Sequence, residues 1–153
     1  MSAIGDALTA LKTVIEGVSG IETVYDKVPQ AEPKGAQLPA VVFMVGPATA
    51  PLSRLTTRAI KWPVDLWVLV EPRGVNIEDS LPAVWPFPEL IIAELDANGH
   101  LGNLLDRTIE YAEPAFSTEE DRAFGPIVMG DTEYVGTVIH TVLTITRVGG
   151  FSS

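Results

Sequence analysis

The chain of 153 residues is 46% apolar and 20% charged, with a formal net charge of −10 and no cysteine. This length and composition predict one globular domain, residues 1–153, around a single core, and exclude a disordered chain. The missing thiols exclude disulfides, thiolate catalysis and sulfur-rich zinc sites. Twenty carboxylates against ten scattered basic residues would repel a phosphate backbone, which excludes ordinary nucleic-acid binding and reads first as solubility.

No apolar run approaches the roughly 18–20 residues needed to cross a bilayer. MSAIGDALTALKTVIEG also lacks the basic start and continuous apolar stretch of a secretion signal, so a soluble, cytoplasmic protein is expected. In chain order, Ser2 is a candidate N-cap, and Ile4, Leu8, Leu11, Ile15 and Val18 follow on one stripe of a helix. Gly17 and Gly20 bracket its end. Residues 21–28 have strand composition, 29–37 form a polar loop, and LPAVVFMVG (38–46) reads as a central strand.

Residues 56–74 predict a further strand. Ile60, Trp62, Val64, Leu66, Val68 and Val70 alternate on a core-facing side. The opposite side carries Ala59, Lys61, Pro63, Asp65, Trp67 and Leu69, with the domain's own helix as the expected cover for Trp67. Pro63 cannot donate to a ladder, so an edge strand or a bulge is expected there.

Pro82, Pro86 and Pro88 forbid one continuous helix after Asp79. A short turn near 80–85 and a helix from Phe87 to Ala97 are expected, with Leu90, Ile91 and Leu95 facing the core and Asn98-Gly99 ending it. LGNLL predicts a further helical turn, residues 106–116 a strand, 116–131 a charged loop, and 149–153 a flexible tail. Residues 133–148 predict the longest strand, apolar or small on both faces, hence central. The order helix, three strands, helix, two strands gives an α+β class: a mainly antiparallel twisted sheet of about four to five strands with two main helices on one face.

Chemistry is sparse at this level. No Walker loop, dinucleotide fingerprint, zinc-protease helix or nucleophile elbow is present. His100 follows a helix end and complements its dipole. His140 lies mid-strand with no carboxylate or second histidine two residues away, so neither histidine reads as a metal ligand or catalytic base. Glu119, Glu120 and Asp121 are consecutive and read as a solvated loop in preference to a cation site.

The amphipathic opening helix with GIETVYDKVP, then LPAVVFMVGP, DLWVLVEPRG, HLGNLLDRTIEYAEP and the closing GDTEYVGTVIHTVLTI together resemble the tail terminator (tail completion) proteins of long-tailed bacteriophages. The resemblance implies a small α+β subunit that closes into a ring, usually of six, on the head-proximal end of the tail tube. It implies a structural protein with no enzymatic activity and no catalytic, cofactor or metal residues. The implied partners are further copies of itself, the tail tube protein and a head-completion or neck protein. DNA would pass through without specific binding, and no membrane is involved. The implied location is the host cytoplasm during assembly and then the virion.

Ring closure joins two different patches of each subunit. Pro63, Trp67 and Leu69 are the candidates for subunit contact, and Glu119, Glu120 and Asp121 for an acidic surface facing the lumen or a partner. LPAVWPFPEL and STEEDRAF depart from the family pattern. Alternative readings are another head–tail connector or neck protein, or a small ligand-binding or enzymatic domain using Trp62, Trp67, Trp85 and acidic residues as a pocket.

Overall fold

The computed structural model describes residues 3–49, 57–105, 107–118 and 122–148. Ser2, the acidic triplet Glu119, Glu120 and Asp121, and the expected tail at 149–153 lie outside the described residues. The helices are α1 (Ala3–Glu16), a single turn α2 (Leu81–Val84) and α3 (Pro86–Ala97). The strands are β1 (Thr23–Tyr25), β2 (Ala40–Val45), β3 (Thr57–Pro72), β4 (Glu110–Ser117), β5 (Gly125–Met129) and β6 (Thr132–Val148). They form one mixed sheet in the order β1-β2-β3-β6-β4, with β5 also paired to β6. Among the described residues only the β1–β2 pairing is parallel. The fold is α+β, as expected.

The period-2 pattern of β3 and β6 makes the sheet two-sided. Val64, Leu66, Val68, Val135, Ile139 and Leu143 face α1, α2 and α3, whose Ala7, Leu11, Ile15, Val84, Ile91 and Leu95 complete the main core. The other face carries a smaller cluster of Val42, Leu69, Ile127, Met129, Tyr134 and Val138. Tyr134 roots it by donating its hydroxyl to the Pro33 carbonyl at 2.6 Å. Burial on both sides explains why the middle of β6 is largely apolar or small on both faces, and its buried threonines are accommodated by hydrogen bonds: Thr141 donates to Val64 O at 2.7 Å and Thr137 to Ala123 O at 2.7 Å.

Several expectations are corrected. The first strand candidate shortens to Thr23–Tyr25. A sixth strand, β5, occupies part of the expected loop, closing a hairpin in which Met129 faces Thr132 across Gly130-Asp131. Gly130 has φ 64° there, the left-handed conformation that a two-residue hairpin turn requires. LGNLL forms irregular turns, because Leu101, Gly102 and Asn103 all have positive φ and cannot continue a right-handed helix.

The prolines do break the helical segment as expected, at Trp85, and Pro86 and Pro88 fall in the first turn of α3 where a missing N–H costs no intrahelical bond. Leu90, however, is 41% exposed, and the buried residues of α3 are Phe87, Pro88, Ile91 and Leu95. A four-residue step from Phe87 through Ile91 to Leu95 sets the buried stripe, which leaves Leu90 off it.

Pro63 lies neither at a sheet edge nor in a bulge, since β3 is held between β2 and β6. Its carbonyl accepts from Gly46 N, on the β2 side, and Lys61 exchanges two hydrogen bonds with Thr49 on that side. The absent N–H therefore points where β2 has ended at Val45 and before the chain returns at Thr49. The bulge in β3 falls further along, at Val70 between Leu69 and Glu71. There Gly136 of β6 comes so close that a Cβ would overlap the Val68 carbonyl.

Candidate functional site

Of the candidates for subunit contact, Leu69 is fully buried in the smaller cluster and offers no surface. Trp67 packs against that same cluster, so its cover is not a helix: all three helices lie on the opposite face. Its indole Nε1 is buried without a hydrogen-bond partner among the described residues. Pro63 is half-buried beside a cleft. The tryptophans share no pocket, because Trp62 faces the main core, Trp67 the other face, and Trp85 is 56% exposed.

The margins of the sheet differ from one another. One is β1, three residues paired only to β2. On the other, β5 pairs with β6 from Thr132 to Gly136 and β4 pairs with it from Val138 to Val142. Beyond these, residues 57–60 and 145–148 continue as a two-stranded ribbon, with no third strand beside them among the described residues. At about 3.3 Å per residue the ribbon extends roughly 13 Å.

The face away from the helices also carries a polar row that local sequence reasoning missed. Asp65 and His140 are register partners on β3 and β6. Ser117 on β4 pairs with Val138, two residues from His140 and on the same face, which places it diagonally across from the imidazole. His140 Nδ1 lies 2.8 Å from Asp65 Oδ1, and His140 Nε2 lies 2.6 Å from Ser117 Oγ. With the ring proton on Nδ1, that nitrogen donates to Asp65 and leaves Nε2 to accept from the serine hydroxyl. This is the hydrogen-bond order of nucleophile, base and orienting carboxylate.

The β4–β6 register slips at this point. Tyr111 pairs with Thr141 and Phe116 with Ile139, leaving residues 112–115 without register partners. Pro114, which has no N–H to give a ladder, lies within the interruption. The displaced segment helps enclose an open cleft of about 330 Å³ lined by Pro63, Asp65, Glu113, Pro114, His140 and Val142, among others. Tyr111 anchors the start of β4 by donating to Asp96 Oδ1 at 3.3 Å, and burial together with that carboxylate pushes its phenol above the ordinary range.

On the same face, Glu32 accepts from Asp131 N at 2.6 Å and from the Thr132 hydroxyl at 2.5 Å, bracing the β5–β6 turn. Those two donors, the hydroxyl first, hold its carboxyl below the usual range. Among the described residues no group of three or more His, Cys, Asp or Glu side chains is placed to hold a metal ion, and no helix is long and apolar enough to cross a membrane. No family model matches the chain, and no curated protein matches it.

Proposed function

We propose that this chain is the tail terminator subunit of a long-tailed bacteriophage. It forms a ring that caps the tail tube, ends its polymerisation and joins the tail to the head-completion or neck protein. The observation that carries the reading is the β3–β6 ribbon, which outruns its sheet on one side while β1 ends the sheet on the other. Apart from Ile145, which reaches the main core, the ribbon offers backbone edges with no third strand beside them among the described residues. Two unlike margins on one subunit are what a head-to-tail ring contact joins, in contrast to the self-complementary patch of a two-fold dimer. The α+β plan agrees with the sequence resemblance, and the net charge of −10 suits a ring through which DNA slides without adhering. The site of action is the host cytoplasm during assembly and then the head-proximal end of the tail.

The test is reconstitution. Tail tube protein polymerised with this chain present should give capped tubes that no longer elongate, with a ring visible at one end by electron microscopy. Unrestricted growth, with the chain absent from tube ends, refutes the assignment.

A further inference from the structure

We propose that Asp65, His140 and Ser117 form an activated-serine site that cleaves small uncharged esters in the adjoining cleft. The proposal is independent of ring assembly and rests on three observations. The three side chains stand in relay order at 2.6 and 2.8 Å. They come from three different strands, held by the β3–β6 and β4–β6 registers. The interrupted segment of β4 opens a cleft, of which His140 and Asp65 form one wall; Ser117 is not itself in the lining and adjoins the cleft through its 2.6 Å contact with His140 Nε2.

In the reaction, Ser117 Oγ attacks the ester carbonyl carbon while His140 Nε2 takes the hydroxyl proton. The bond to the alcohol oxygen breaks, and the alcohol leaves with the proton returned from Nε2. Water, deprotonated by the same nitrogen, then attacks the acyl carbon; the bond to Ser117 Oγ breaks, Oγ regains that proton from Nε2, and the carboxylic acid leaves. Asp65 is the positioning residue, fixing the imidazole through Nδ1 and stabilising its transient positive charge. The cleft sets the substrate class. Its volume is at the lower end of ligand sites, so it takes short acyl groups. Pro63, Pro114 and Val142 provide apolar walls, and Asp65 and Glu113 at the same cleft disfavour anionic substrates.

The experiment incubates the full chain with p-nitrophenyl acetate, follows nitrophenol release, and locates the acetyl group by peptide mass spectrometry. The expected result is an acetyl adduct on Ser117 and turnover that falls at least about a hundredfold in both Ser117→Ala and His140→Ala. Asp65→Asn should lower kcat with KM nearly unchanged, and Asp65→Glu should recover part of the loss, neither of which a purely structural carboxylate would produce. Each variant is paired with a thermal melt, and the adduct mapping on the unaltered protein needs no variant. Absence of an adduct on Ser117 in the unaltered chain, acetylation confined to other residues, or turnover equal to that of Ser117→Ala overturns the proposal.

Discussion

Replacing Gly136 by alanine tests the closest approach in the sheet. Gly136 faces Leu69 where β3 carries the extra residue Val70, and a Cβ at this position would overlap the Val68 carbonyl oxygen. That obstacle is main chain within a ladder whose strands are about 4.8 Å apart, so no side-chain rotation relieves it. Separating the strands loosens packing in both clusters at once, since Val68 belongs to the main core and Leu69 to the smaller one. Overpacking of this kind costs about 1–3 kcal/mol, and one weakened ladder bond adds about 1 kcal/mol. A total near 3 kcal/mol lowers Tm by roughly 6–12 °C for a domain of this size. Gly74→Ala is the control, because a Cβ there meets nothing within 4 Å. It should leave Tm unchanged or slightly raised through the reduced entropy of the unfolded chain. Thermal unfolding followed by circular dichroism measures both. If Gly136→Ala melts within a degree or two of the parent, the β3–β6 approach at the bulge is not as described.

Other outcomes follow from the face of the sheet away from the helices. Trp67→Ala should destabilise the monomer by about 2–3 kcal/mol, below the full cost of emptying a core tryptophan site because Trp67 is only partly buried. Trp67→Phe should stay within about 1 kcal/mol of the parent, since removing the unpartnered buried Nε1–H offsets lost contact area; urea unfolding of both variants decides. For Glu32, the folded carboxyl titrates below its unfolded value, so its contribution is present above the unfolded value and fades as pH falls through the folded one. The stability difference between the parent and Glu32→Gln should therefore shrink as acid is added. A difference that grows towards low pH contradicts the bracing of the β5–β6 turn by a carboxylate.

What was legible in the sequence follows the range of each interaction. The stripe Leu8, Leu11, Ile15 and the alternation from Trp62 to Val70 are local periodicities, and each placed its side chains on the correct face. Proline chemistry located the break before α3 but not the setting of Pro63. A missing donor is equally satisfied at an edge or, as here, beside a gap between Val45 and Thr49 within a central strand. β5 was legible in principle, since Gly130-Asp131 between the strand-like runs 127–129 and 132–135 is a hairpin signal; the Gly-Pro start of that strand obscured it.

The polar row was harder to find. His140 has no partner within its own strand, and Asp65 meets it only through an antiparallel register joining residues 75 apart. The available signal was two polar residues, Asp65 and His140, each midway along a strand and flanked mainly by apolar residues. Ser117 depends in addition on a register slip at residues 112–115, which no periodicity announces.

The most direct test of the central claim is the mass of the particle in solution, by native mass spectrometry and by light scattering across a concentration series. A ring subunit predicts a closed oligomer, six-fold if the sequence resemblance holds, whose population rises with concentration and which deletion of the outer ribbon residues 57–59 and 146–148, leaving the core residue Ile145 in place, reduces to a folded monomer. A chain that stays monomeric at every concentration, or a ring that persists unchanged without the ribbon, contradicts the account.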